Sequence, residues 1–318
     1  MNARILTLAA LLCLLLQTML VFQLPIGFYQ QPFWLLLLAL AVMACVYLMQ
    51  RLANITSPRS AGAKLSQLLV PALFGFMILM LWESIVRGFN VPLVLMPAPS
   101  RIMTTLLNNL PTLWADFQQT YLKAVIAGYL MGCGLGFMTA KWVVRSPFLQ
   151  KGLLPLGNFM ASIPIIGIAP IMVMWFGFDW QSKAAVVVIM TFFPMLINTL
   201  AGLKSVDPLH ADLMHTYAAG KSQIFFKSQL PQAMPFIFNA LKLNSTLALI
   251  GAIVAEFFGT PIVGMGFRIS AEVGRMNMDM VWATIFVAAL AGSLSYGALA
   301  LLERWLTFWH PSIRDKRS

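Results

Sequence analysis

The chain has 318 residues, of which 60% are hydrophobic and only 10% charged, with a formal net charge of +11 and a mean hydropathy of +0.82. A water-soluble domain carries about a quarter charged residues, so this composition excludes an ordinary soluble enzyme and points to an all-α integral membrane protein. The basic excess invites a nucleic-acid reading, but the positions of the charges account for it without one.

A bilayer core of about 30 Å takes roughly 20 apolar residues per helix. Eight segments meet that requirement, at about 4–23, 32–50, 66–86, 120–140, 153–177, 183–203, 236–257 and 281–303. Arg4 ahead of the first run imitates a signal peptide, yet the run is long and no small-x-small site follows at Gln23-Leu24-Pro25, so it reads as an uncleaved helix. A basic linker at 51–63 sets the first two spans apart, as an appendage (1–63) to a six-span unit (64–318). The fifth span holds Pro164 and Pro170 with Gly167 between them. Proline frees a backbone carbonyl, and such a break survives in a membrane only where protein or a wet cavity satisfies it; this span is expected to face the bundle interior.

With the N-terminus inside, the inner segments hold Arg4, Arg51, Arg59, Lys64, Lys141, Arg145, Lys151, Lys204, Lys221, Lys227, Arg304, Arg314, Lys316 and Arg317. The outer segments hold only Arg87, Arg101, Lys183, Arg268 and Arg275, while Lys123 and Lys242 lie at span edges. The positive-inside rule therefore places both termini in the cytoplasm and leaves no surplus charge for nucleic acid. Cys13, Cys45 and Cys133 lie in apolar runs and read as small buried hydrophobes. His210, His215 and His310 lack metal-ligand spacing.

Between the sixth and seventh spans lies a polar island, 204–235, on the basic side. Pro208 suits a first helical turn with Asp207 as N-cap. Leu209, Leu213 and Tyr217 recur every four residues, and Met214 widens that stripe. Gly220 offers a turn, so helices are expected over 208–219 and 221–229, the second presenting Ile224, Phe225 and Phe226 before Pro231 and Pro235 return the chain to the membrane. Mixed charge argues against a helix that only lies on lipid, which favours a dense basic face. Gly220-Lys221-Ser222 has the tail of a phosphate-binding loop, but His215 stands where that loop needs glycine and a helix precedes it instead of a strand. A loop that folds between membrane helices is a docking surface, and energy must come from a partner.

At these residues the chain resembles the permease subunits of ABC importers, whose coupling motif runs Glu-Ala-Ala, three residues, Gly, nine residues, Ile, one residue, Leu-Pro. Anchored on Leu230-Pro231, Asp212 takes the place of the motif's Glu, Leu213 and Met214 of its alanines, Ala218 of its Gly and Ser228 of its Ile, with Ala219 following and Gly220 two residues late. Met96-Pro97-Ala98-Pro99-Ser100, Ser162-Ile163-Pro164 with Ala169-Pro170, Trp175-Phe176-Gly177-Phe178, Phe192-Phe193-Pro194 with Asn198-Thr199, and Ala255-Glu256-Phe257 with Gly264-Met265-Gly266 extend the resemblance over about 66–312. The branch is that of nitrate, sulfonate, taurine and thiamine-precursor systems, and the 249–257 run leans to the pyrimidine precursors.

The resemblance implies a six-helix type I permease core with two added N-terminal helices, in the cytoplasmic (inner) membrane. It further implies two copies forming one pathway, an external solute-binding protein and a cytoplasmic ATPase subunit that uses ATP and Mg, with no cofactor on this chain. The coupling residues would be Asp212, Leu213, Met214, Tyr217, Ala218, Ala219, Gly220, Leu230 and Pro231. Polar groups within spans are costly and often functional; Asn158, Ser162, Asn198, Asn244 and Glu256, with Thr191, Ser245 and Thr246, are pathway candidates. Interhelical hydrogen bonding is the competing reading. Glu256 could line the exit, pair with Arg268 or reach the interface. A gradient-driven secondary transporter would need intramembrane acids; Glu83 and Glu256 are the carboxylates near span interiors, and both sit toward ends. A membrane enzyme would need a nucleophile with a base at depth, and no span holds a histidine.

Overall fold

The computed structural model describes residues 32–55, 61–161, 163–206 and 208–309, with seven helical positions between 12 and 22. Of the expected first span only those seven positions are described, and Asp207 and Ser162 lie outside the described residues. Among the described residues every regular element is a helix: α1 Pro32–Ile55, α2 Ala61–Gly88, α3 Pro99–Asn108, α4 Leu110–Val143, α5 Pro147–Ala161, α6 Ile165–Phe176, α7 Trp180–Lys204, α8 Pro208–Thr216, α9 Lys221–Glu256, α10 Met265–Gly274 and α11 Met278–Leu306. Five of them (α2 from Leu69, α4, α7, α9 and α11) are long and apolar enough to cross a membrane.

Three expected boundaries move. The fourth span begins ten residues earlier than expected, at Leu110, because residues 110–119 continue the helix instead of forming a loop. The span expected at 153–177 is two helices: a proline disfavours helical backbone in the residue before it, and Pro164 caps α6 in extended geometry, so the chain breaks between Ala161 and Ile165. The seventh span starts at Lys221 instead of 236, so the expected separate helix 221–229 is its first part. Pro231 has no N–H to give the preceding turn; the helix takes a π-helical path over Phe225–Gln229, and Leu230 N–H reaches Phe225 O.

The chain forms two compact units, residues 1–108 with 276–283 and residues 109–275 with 284–318. In the first, α1 packs on α2 through Cys45, Met49, Leu73 and Met77. Glu83, 1% exposed, accepts from Ser100 N–H (2.9 Å), Ser100 Oγ (2.7 Å) and Arg87 Nε (2.6 Å), so this carboxylate caps the start of α3. In the second, α7 lies between α4 and α9. Gly128, Gly132 and Gly136 recur every four residues on α4, and a Cβ on each would stand 2.6 Å from Val187 Cβ, 2.0 Å from Thr191 Oγ1 and 2.6 Å from Phe192 O. Lipid gives helices no hydrophobic reason to associate, so close backbone approach over small residues is what holds them. Val125, Val187, Ala248, Ala252 and Met265 fill the other side of this contact.

Candidate functional site

The island is built as a helix, a left-handed turn and a second helix. α8 stops at Thr216, three residues before its expected end. Ala219 N–H reaches back to Met214 O (3.0 Å), a bond that requires the intervening residue to turn left-handed. That residue is Ala218, at φ 51°. The expected turn residue, Gly220, is extended (φ −68°, ψ 159°) and starts α9, with Gln223 Oε1 accepting from its N–H. The turn therefore falls where the family motif has glycine, and an alanine bears its strain.

The two helices face differently. Leu209, Leu213 and Tyr217 are 75%, 57% and 78% exposed and form an apolar stripe at the surface, and Asp212 is exposed beside it. Met214 and Ala219 are half-buried, as are Leu230 and Pro231. Phe225 is buried among Leu203, Ala233 and Ile237, and Lys141 Nζ lies 5.0 Å from its ring centroid, within cation–π range. The basic end of α4 thereby holds the root of α9.

The pathway candidates do not converge. Asn244 is fully buried and donates to Thr191 O (2.8 Å) on α7 and to Cys133 Sγ (3.3 Å) on α4. Asn198 donates to Pro194 O of its own helix (2.8 Å). Ser245 and Thr246 likewise bond carbonyls three residues back, Lys242 O and Leu243 O. Asn158 lies on α5. The break between α5 and α6 adjoins a cavity of about 180 Å³ lined by Met160, Ile163, Ile165, Met190, Phe193 and Leu247, while Pro164, Ile166 and Gly167 at the break are exposed.

Glu256 sits in a buried polar cluster. It is 3% exposed and accepts from Thr120 Oγ1 (2.7 Å) and Gly266 N–H (2.6 Å). Arg268 pairs with Asp116 (2.7 Å), not with Glu256. Asp116 is fully buried, a carboxylate in the ten residues by which α4 precedes its expected start at 120. Its short-range signal was faint: Leu110-Pro111 followed by Leu113, Trp114 and Phe117 at helical spacing. Asp116 raises the pKa of Arg268 by hydrogen bonding to its guanidinium. Nearby, α4 turns π-helical over Gln118–Val125, Gln119 donates to Asp179 (2.6 Å), and Lys183 donates to Phe178 O (2.5 Å) and Asp179 O (3.1 Å). Burial works upward on Asp179, but the Gln119 and Trp180 hydrogen bonds, with Lys123 and Lys183 close by, hold it below its usual value.

Residues 132–308 match the family model described as the binding-protein-dependent transport system inner membrane component. The chain belongs to this family. It is 32% identical over 243 residues to the formylaminopyrimidine transport permease protein of Halalkalibacterium halodurans, covering 76% of this chain and 96% of that one. With a putative aliphatic sulfonates transport permease protein of Bacillus subtilis it shares 30% identity over 247 residues, covering 77% and 87%. The inward-facing MetNI methionine ABC transporter aligns at TM-score 0.51 and 18% identity, over 64% of this chain and 98% of that one, which supports the type I permease fold. The chain is thus an ABC importer inner-membrane permease, a multi-pass transport subunit for a small solute and not an enzyme.

Proposed function

We propose that this permease is driven by ATP hydrolysed on a separate cytoplasmic subunit, which docks on the island 204–235. The observation that carries the reading is the exposed apolar stripe Leu209, Leu213 and Tyr217, with Asp212 beside it, on the short helix between α7 and α9. An apolar stripe rimmed by polar groups is the form of a helix-in-groove contact. The coupling residues on this reading are Asp212, Leu213, Met214, Tyr217, Ala218, Ala219, Gly220, Leu230 and Pro231. Both termini face the cytoplasm, two copies form the pathway, and a binding protein outside delivers the solute. Residues 1–63 are an appendage to the permease at 64–318. Closure of the ATPase pair pushes α8, and the pathway shifts between two packed states.

The solute on this reading is a thiamine-pyrimidine-precursor-like or sulfonate-, nitrate- or taurine-like nutrient. The relative named for formylaminopyrimidine transport supports the first, and the one named for aliphatic sulfonates the second. The pathway binds the solute weakly, through groups such as Asn158, Ser162, Asn198, Asn244 and Glu256, and selectivity lies mainly in the binding protein. The test is a tagged pull-down from native membranes with mass spectrometry and an ATPase assay. Recovery of an ATPase subunit, lost when 208–231 is altered, is the expected result. An eluate without one, under conditions that keep other complexes intact, would refute it and favour a gradient-driven transporter.

A further inference from the structure

Three consecutive backbone N–H groups at the start of α10 are each taken by a side chain from another helix. Gly264 N–H donates to Asp116 Oδ1 (2.8 Å), Met265 N–H to Thr120 Oγ1 (2.7 Å) and Gly266 N–H to Glu256 Oε2 (2.6 Å). A helix start leaves four such donors without intrahelical partners, and it ordinarily satisfies them with its own cap or water. Here α4 supplies two acceptors and α9 the third. The same groups are joined to one another, since Thr120 Oγ1 donates to Glu256 Oε1 (2.7 Å), and Arg268 on the next turn of α10 holds Asp116 through Nε (2.7 Å) and Nη2 (3.3 Å).

The cluster has no slack. Asp116 and Thr120 are fully buried and Glu256 nearly so. A Cβ at Gly264, where φ is 145°, would meet the Glu256 carboxylate at 2.7 Å, and one at Gly266 would meet Ile253 O at 2.2 Å. Buried charge-assisted bonds of this kind are strong and short, and breaking one side leaves a buried group unpaired. α10 is therefore fastened to the ends of α4 and α9 as one piece.

α9 runs unbroken for 36 residues from Lys221 to Glu256, about 54 Å at 1.5 Å per residue. Its first residue adjoins the left-handed turn of the island, and its last carries the α10 fastening. We propose that Asp116, Thr120 and Glu256 are positioning residues of a latch that makes α10 and α9 one lever, through which a load on the 257–275 end of the permease is transmitted to the island. Resting on the reading above, the load is the docking of the solute-loaded binding protein, and the response is stimulation of the partner's ATPase.

The experiment uses the assembled complex in nanodiscs. Basal ATPase activity is compared with activity in the presence of solute-loaded binding protein, for Thr120→Val and Thr120→Ser. The lever predicts basal activity within about twofold of the parent in both. Stimulation falls at least about tenfold in Thr120→Val and is retained in Thr120→Ser, which keeps the hydroxyl. Full stimulation of Thr120→Val would overturn the proposal, as would equal loss in the valine and serine variants. Amide exchange on the parent protein supplies a second arm that needs no variant: the 264–266 amides are expected to exchange as slowly as those within α9, and fast exchange there overturns the latch. A complex that contains no ATPase subunit refutes the proposed function instead, while the exchange result still decides the latch.

Discussion

Gly132→Ala tests the contact on which the bundle rests. The added Cβ would stand 2.0 Å from Thr191 Oγ1, 2.9 Å from Val188 O and 3.0 Å from Val188 Cα. The threonine hydroxyl can rotate away, but only by giving up its bond to Val187 O (2.8 Å), a loss of about 0.6 kcal/mol for a side-chain bond in a membrane bundle. The Val188 backbone cannot rotate away, so α4 and α7 must separate, and overpacking of this kind costs about 1–3 kcal/mol. Removing a glycine from a helix returns about 1 kcal/mol. The net expectation is destabilisation by about 0.6–2.6 kcal/mol. Gly134, two residues on, has nothing within 4 Å of its Cβ position, so Gly134→Ala keeps only the gain and should stabilise by up to about 1 kcal/mol. The assay is reversible unfolding of the purified permease in mixed micelles, followed by tryptophan fluorescence. Parent-like stability of Gly132→Ala, or equal damage from both alanines, would refute the close-packing argument.

Ala218→Gly should stabilise the island, since a left-handed alanine costs about 1–2 kcal/mol and glycine returns about 0.5–1 kcal/mol of that in chain entropy; slower proteolytic cleavage within 216–221 would register it, and faster cleavage would contradict it. Asp212→Lys is expected to reduce solute uptake with membrane levels unchanged, and normal uptake by a well-expressed variant would remove Asp212 from the coupling surface. Asp179 has a folded pKa below its usual value, so its contribution to stability is fully present above the ordinary carboxylate range near 4 and is lost as pH falls through the lowered value. Acid titration of stability should accordingly show a shallower decline in Asp179→Asn than in the parent, and superimposable curves would count against the cap and its Gln119 partner.

Sequence alone determined the class of this protein, because hydrocarbon admits only segments that satisfy their own backbone and apolar runs of helix length are visible one residue at a time. It also located the island, whose Leu209–Leu213–Tyr217 stripe is a period within a single helix. The glycines at 128, 132 and 136 form a four-residue repeat in the sequence, but an all-apolar helix has no amphipathic face to orient it, so the repeat alone does not say which neighbour it meets. What lay beyond the sequence was every feature created by one helix meeting another. Asp116 finds Arg268 across 152 positions, and Thr120 finds Glu256 across 136. A carboxylate's buried partner is set by the packing of distant segments, which no local pattern encodes. The same holds for continuity: Pro231 and Pro235 mark a break by propensity, yet α9 runs through both, with a π-helical path over Phe225–Gln229 just ahead of Pro231 and Phe225 buried among its neighbours. The left-handed residue, too, was decided by where α8 had to stop, which put an alanine in a position for which glycine stood ready two residues later.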